Sequence, residues 1–240
     1  MNRLGLAIAG LNGAVASTLV AGVALMRRGL ARPAALISEP YRQKLRLAGT
    51  DSFVFGGWDQ RGENLSEAAV RNAVLDPARL QSVAKELAGV RPFGVSRSRA
   101  TAAHDIDRFR RRHRLDTVVV LNLLPTGADR ASRAYALAAA QTGCPFINFT
   151  PNDCSENRLA GIPYCGRDGK TGQTWLKSVL APALRDRGLR VTGWYSTNLL
   201  GNEDGKVVGD PKLGRAKIRD KSKLLAEMLC YQPHHQVQIN

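Results

Sequence analysis

Cysteine is scarce in this chain: four residues in 240, at positions 144, 154, 165 and 230, with no Cys-x-x-C pair among them. That spacing excludes the common zinc-finger and zinc-ribbon sites, and four cysteines in a chain this long make no disulfide scaffold. They fit a reducing compartment, so the expectation is a cytoplasmic protein without a metal site. Histidine is as rare, and the adjacent His234 and His235 would point to opposite faces of a strand and share no ligand. Aromatic residues make up 6% of the chain. With no RNP motif and no aromatic-interleaved basic stretch, the usual nucleic-acid platforms are missing. The one dense basic block, RFRRRHR at 108–114, reads as the solvated end of a helix. Acidic residues are outnumbered 20 to 35, leaving a net charge of +15 and implying an anionic partner such as a phosphorylated metabolite. Lysine is nearly absent from the first two thirds: of nine, only Lys44 and Lys85 precede residue 165. A complete Walker A loop is lacking too, because GRDGKTGQT has the Gly-Lys-Thr tripeptide but Tyr164 stands where the first glycine belongs.

What is present begins with an apolar run from Leu4 to Met26, interrupted by Asn12, Ser17 and Thr18 and closed by Arg27 and Arg28. Its length would span a bilayer or serve as a leader core. Asn12-Gly13 near the middle argues otherwise, since Asn-Gly is a turn dipeptide. The stretch before it, LGLAIAG, has the length of a buried strand. The stretch after it has helical length, with basic residues at its end and Gly29 as a C-cap. Strand, glycine turn and helix open a dinucleotide-binding fold, in which the helix N-terminus receives a diphosphate. The spacing Gly10-x-x-Gly13 departs from Gly-x-Gly-x-x-Gly.

Alternation continues downstream. PAALISE at 33–39 reads as a second strand whose last residue, Glu39, could accept hydrogen bonds from a ribose. Residues 64–90 read as two helices broken before Pro77, 116–127 as a strand, 129–143 as a helix ending at Gly143, and 145–152 as a short strand. This rhythm predicts an α/β fold with a Rossmann-like parallel sheet and helices on both faces over residues 1–155. Its ligand-binding strand ends would carry Gly10 to Gly13, Leu124-Pro125-Thr126 and Asn148. Over 156–240 the character changes to a smaller α+β domain. There a Gly-rich loop leads into a helix carrying Lys177 and ending near Gly188, then a strand with a polar loop, then Lys217, Lys221 and Lys223. Lysines so placed can hold a phosphate and stabilise a developing enolate.

These stretches resemble the inositol-3-phosphate synthase (myo-inositol-1-phosphate synthase) family, especially its bacterial branch. GLNGAVASTLVAG is similar to the family's nucleotide turn, FVFGGWD to its Gly-Gly-Trp-Asp segment, and VVVLNLLPTG to the next cofactor-contacting strand end. GRDGKTGQTWLKSVL, TNLLGNEDG and AKIRDKSK resemble, in order, three stretches of the catalytic half. The resemblance implies an NAD-dependent, cytoplasmic, homo-oligomeric enzyme, a tetramer in the family, that isomerises glucose 6-phosphate. It implies no nucleic-acid or membrane partner. Carried over residue by residue, Gly10, Leu11, Asn12, Gly13, Asp59, Thr126 and Asn148 would contact NAD, with Asp168 and Asn198 reaching it from the reaction site. Lys170, Lys177, Lys217, Lys221 and Asp204 would be catalytic. Asp59 rather than Glu39 matches the family's cofactor-binding acid.

The sequence also departs from the pattern. Arg167 replaces an acid, Trp175 replaces a lysine, and 151–163 is shortened. The chain stops at HHQVQIN, where family members continue with a Gly-Asp-x-Lys segment. The expectation is therefore a truncated chain, weakly active or inactive alone. The alternatives are a non-catalytic NAD-binding remnant and an NAD-dependent oxidoreductase with net redox output.

Overall fold

The computed structural model describes residues 3–34, 36, 38–94, 98–154, 156–169, 172–198 and 222–239. Two compact units meet in the sequence between Arg167 and Asp168. In the first, the apolar run resolves into β1 (Leu4–Ala9), a turn, and α1 (Ala14–Arg27). Among the described residues no helix is long and apolar enough to cross a membrane. The strand part of the run is apolar throughout because β1 is central. It pairs in parallel with β2 (Phe53–Trp58) on one side and β3 (Thr117–Asn122) on the other. A parallel strand covered on both faces needs apolar residues at every position.

Strand alternation sorts β1 between two cores. Ile8 packs with α1, α2 (Leu65–Asn72) and α3 (Pro77–Ala88). Ala7 and Ala9 face α4 (Arg99–His113) and α5 (Asp129–Gln141), where their small side chains leave room for Trp58. Trp58 is fully buried, its indole N–H donates to Asp105 Oδ2 at 2.9 Å, and its ring lies 4.7 Å from that of Tyr135. Burying a ring of this size stabilises the fold by roughly 2–3 kcal/mol. The short strands β4 (Phe146–Asn148) and β5 (Tyr164–Cys165) complete a five-stranded parallel sheet of order β2-β1-β3-β4-β5. Because β5 pairs with β4, this unit continues to Arg167, past residue 155.

Local signals set the helix boundaries. Asn64 and Glu67 form a reciprocal capping box at α2, Asp76 caps α3 ahead of Pro77, and Ser98 caps α4. RFRRRHR forms the last turns of α4 and its C-cap, as its composition predicts.

The second strand is not where PAALISE placed it. Residues 33, 34, 36 and 38 are turn or irregular, and Glu39–Tyr41 is a 3-10 turn in which Glu39 pairs with Arg42. The strand beside β1 is 53–58. Its Gly57 is required: a Cβ there would lie 2.0 Å from the Ile8 carbonyl oxygen. Glu39 therefore ends no strand.

The second unit contains α6 (Gly172–Asp186), β6 (Gly193–Asn198), helical residues 222–229 (α7) and β7 (His234–Ile239). β6 and β7 pair in parallel, Gly193 opposite His234. Ala181, Leu225 and Leu229 form its small core, with Val191, Trp194, Met228 and Tyr231 packed against them.

Candidate functional site

In the first unit the strand order reverses between β1 and β3, which opens a crevice at their carboxyl ends. Gly10 leaves β1 at this point with φ +90°, and a Cβ on it would sit 2.9 Å from the Leu123 carbonyl oxygen on the other wall. Only glycine fits there without displacing backbone. The N–H groups of the turn are spent inside the protein. Those of Gly10 and Leu11 donate to the Trp58 carbonyl at 2.9 and 3.0 Å, and that of Gly13 donates to the Gly10 carbonyl at 3.1 Å. Leu11 is fully buried in the core under α1, so its side chain serves packing.

Asn12 joins this turn to the end of β2. Its N–H donates to Asp59 Oδ2 at 2.9 Å, and Asp59 Oδ1 accepts from the Arg61 N–H at 3.0 Å. The Asn12 amide donates to the carbonyls of Arg61 and Glu63 at 3.1 and 2.9 Å. Its backbone carbonyl accepts from Arg71 Nη2 and Asn72 Nδ2 at 2.9 and 3.1 Å. Asn12 is fully buried, and its Oδ1 has no hydrogen-bond partner among the described residues.

These features fit a dinucleotide. Gly13 caps α1 without a side chain, and no acidic residue occupies the helix's first turn. The helix N-terminus thus presents N–H groups and partial positive charge with nothing of its own to neutralise them. Asp59 directly follows the second strand, half-buried, with each oxygen accepting one backbone N–H and lone pairs left for ribose hydroxyls.

A second polar network shapes the opposite wall. Asn122, at the end of β3, donates to Asn148 Oδ1 at 3.0 Å and to Thr150 Oγ1 at 3.2 Å. Asn148 donates to the Asn152 carbonyl at 2.9 Å. Asn152 then brackets Thr126: its Oδ1 accepts from the Gly127 N–H at 2.8 Å, and its Nδ2 donates to the Pro125 carbonyl at 3.0 Å. Asn148 is buried with its amide committed to this network, so it shapes the loop around Thr126. Sequence reasoning missed Asn122, Thr150 and Asn152. The available signal was an asparagine ending each of two neighbouring apolar strands.

In the second unit Lys177 is fully buried on α6. Its Nζ lies 2.8 Å from His235 Nε2 and donates to Gln173 Oε1 at 3.4 Å. His235 Nδ1 lies 2.6 Å from Ser222 Oγ. Asp168 is half-buried with φ +70°. Asn198 ends β6. The Asn198 side chain and residues Lys170, Asp204, Lys217 and Lys221 lie outside the described residues. Trp175, where a lysine was expected, is half exposed on α6.

Two family models, both described as myo-inositol-1-phosphate synthase, match the chain: one over residues 172–240, the other, its NAD-binding model, over 34–99. The chain is 29% identical to inositol-3-phosphate synthase 1 of Bacteroides thetaiotaomicron, covering 99% of this chain and 72% of that protein. It is 28% identical to inositol-3-phosphate synthase of Spirodela polyrhiza, covering 96% and 62%. The crystal structure of inositol-3-phosphate synthase from Caenorhabditis elegans superposes with a TM-score of 0.81 at 20% identity, covering 100% of this chain and 65% of that one. A myo-inositol-1-phosphate synthase-related protein from Thermotoga maritima gives 0.67 at 21% identity, covering 100% and 74%. These structures show the shared fold, and the chain spans about two thirds of the length of such relatives. With one family's models matching in both units, and together over more than half of its residues, the chain belongs to the myo-inositol-1-phosphate synthase family.

Proposed function

We propose that this chain carries the chemistry of an NAD-dependent isomerase that converts D-glucose 6-phosphate to 1D-myo-inositol 3-phosphate. The observation that carries the reading is the uncapped α1 N-terminus behind Gly10-Leu11-Asn12-Gly13, with Asp59 fixed beside it by the Asn12 N–H. NAD, when bound, accepts hydride from sugar C5 and returns it, so none is consumed. The residues of the first unit hold that cofactor. The first turn of α1 takes the diphosphate, Asp59 accepts from a ribose hydroxyl, and the Thr126 loop closes the other wall.

The second half supplies cations. The C5 ketone acidifies C6, and the C6 proton leaves readily only when the developing enolate oxygen meets a positive group. Lys170, Lys217 and Lys221 are assigned to that oxygen, to the C1 aldehyde oxygen on which charge builds as C6 attacks, and to the substrate phosphate. Asp204 is assigned to proton transfer, and Asp168 and Asn198 to the nicotinamide end. A homo-oligomer, as in the family, is part of the proposal.

The test is to incubate the purified chain with NAD and glucose 6-phosphate. Inositol phosphate should form while NADH stays flat. Accumulating NADH would mean a net oxidoreductase, and NAD binding without turnover would mean a non-catalytic remnant. Lys170→Ala should lower turnover about 100-fold, the usual loss when one oxyanion-stabilising group is removed.

A further inference from the structure

Lysine is almost never fully buried unless it is paired. Lys177 has no exposed surface, and it sits where four elements of the second unit meet. Its Nζ on α6 is 2.8 Å from His235 Nε2 on β7, and the other ring nitrogen is 2.6 Å from Ser222 Oγ on α7. Gln173, one turn earlier on α6, accepts from Lys177 Nζ at 3.4 Å and from Ser196 Oγ of β6 at 3.1 Å.

With Lys177 taken as the ordinary ammonium, the donor inventory fixes the protons. An ammonium has three N–H donors and no acceptor, so the ring nitrogen facing it must accept. A neutral imidazole that accepts at Nε2 carries its proton on Nδ1, and that proton points at Ser222 Oγ. A doubly protonated ring would bring two cations to 2.8 Å in a buried place, a strongly unfavourable arrangement.

We infer that His235 is a positioning residue: a neutral Nδ1–H ring that holds the Lys177 ammonium on one side and the Ser222 hydroxyl on the other. Lys177 then contributes through its fixed place and touches no substrate. The relay secures the start of α6, which follows Lys170 in the chain, and Ser222, which directly follows Lys221. Its importance for turnover rests on the synthase reading, whereas its geometry does not.

The test uses the full chain labelled with nitrogen-15 histidine, the His235 signal being assigned by its loss in His235→Gln. At about pH 7.5 the ring should show the neutral Nδ1–H tautomer. Glutamine offers one acceptor and a donor in similar places, so His235→Gln should keep amide exchange in 222–229 within about threefold of the parent. His235→Leu should speed that exchange by about tenfold or more and leave β1 and α1 unchanged. If the parent turns over, the leucine variant should lose kcat about tenfold with the KM for NAD unchanged, and the glutamine variant should restore it. An Nε2–H or doubly protonated ring, or glutamine as damaging as leucine in exchange, would overturn the inference. Glutamine that preserves exchange yet abolishes turnover would make His235 a reacting group and overturn it as well. A parent that forms no inositol phosphate would sink the synthase reading, leaving the tautomer and exchange to decide the relay.

Discussion

Gly10 and Gly22 are separated by twelve residues and a change of role. Gly10 has φ +90° and a carbonyl where its Cβ would go, while Gly22 lies inside α1 with nothing within 4 Å of a Cβ. Gly10→Val should therefore raise the dissociation constant for NAD by about tenfold or more, read by calorimetric titration, because the crevice wall must move. Gly22→Ala should stabilise the protein by about 0.5–1 kcal/mol in urea unfolding, since alanine suits a helix interior better. His113 is a third residue with a readable consequence. Burial first, then Arg112 and Arg3, hold its pKa below the ordinary 6.5. The unfolded chain thus binds more protons than the native one just below that pH. The contribution of His113 is complete above 6.5 and is lost as pH falls through 6.5 toward the native value. His113→Gln should flatten that part of the decline, measured as urea midpoints across the range.

At the scale of elements, the β3–α5 connection shows how the loop around Thr126 is held by residues distant in sequence. The Pro125 carbonyl and the Gly127 N–H both bond to Asn152, whose Nδ2 also donates to Ser132 Oγ at 3.0 Å. Asn152→Ala strips both sides of Thr126 and should weaken NAD binding several-fold. It should also destabilise the first unit by about 1–3 kcal/mol, because buried polar groups lose their partner. Fluorescence titration and urea unfolding of the same variant separate the two effects. The caps of α2, α3 and α4, by contrast, are contiguous in sequence with the helices they start.

For the whole molecule the decisive quantity is a net charge of +15, set against the two anionic ligands of the proposed reaction, a dinucleotide and a sugar phosphate. Seven of the nine lysines lie from residue 170 onward. Raising salt from about 50 mM to about 500 mM shortens the screening length several-fold and should weaken NAD binding several-fold. Affinity that does not move with salt would assign the binding to local hydrogen bonds alone.

The sequence by itself determined β1, α1 and β3, because a central parallel strand must be apolar on both faces and a glycine turn before a helix is a local device. The resemblance of FVFGGWD to a contiguous family motif named Asp59, which the structure sets against the Asn12 N–H. The sequence reading misplaced the second strand by taking PAALISE as that strand, whereas the strand paired with β1 is FVFGGW, whose Gly57 leaves no room for a Cβ beside Ile8. Tertiary structure alone decided the rest. It brought Asn122 to Thr150 and Asn152 to the Thr126 loop, and it buried Lys177 against His235, 58 positions away. Periodicity and spacing report neighbours along one element, whereas a buried polar group is satisfied by whichever chain segment folding delivers to it.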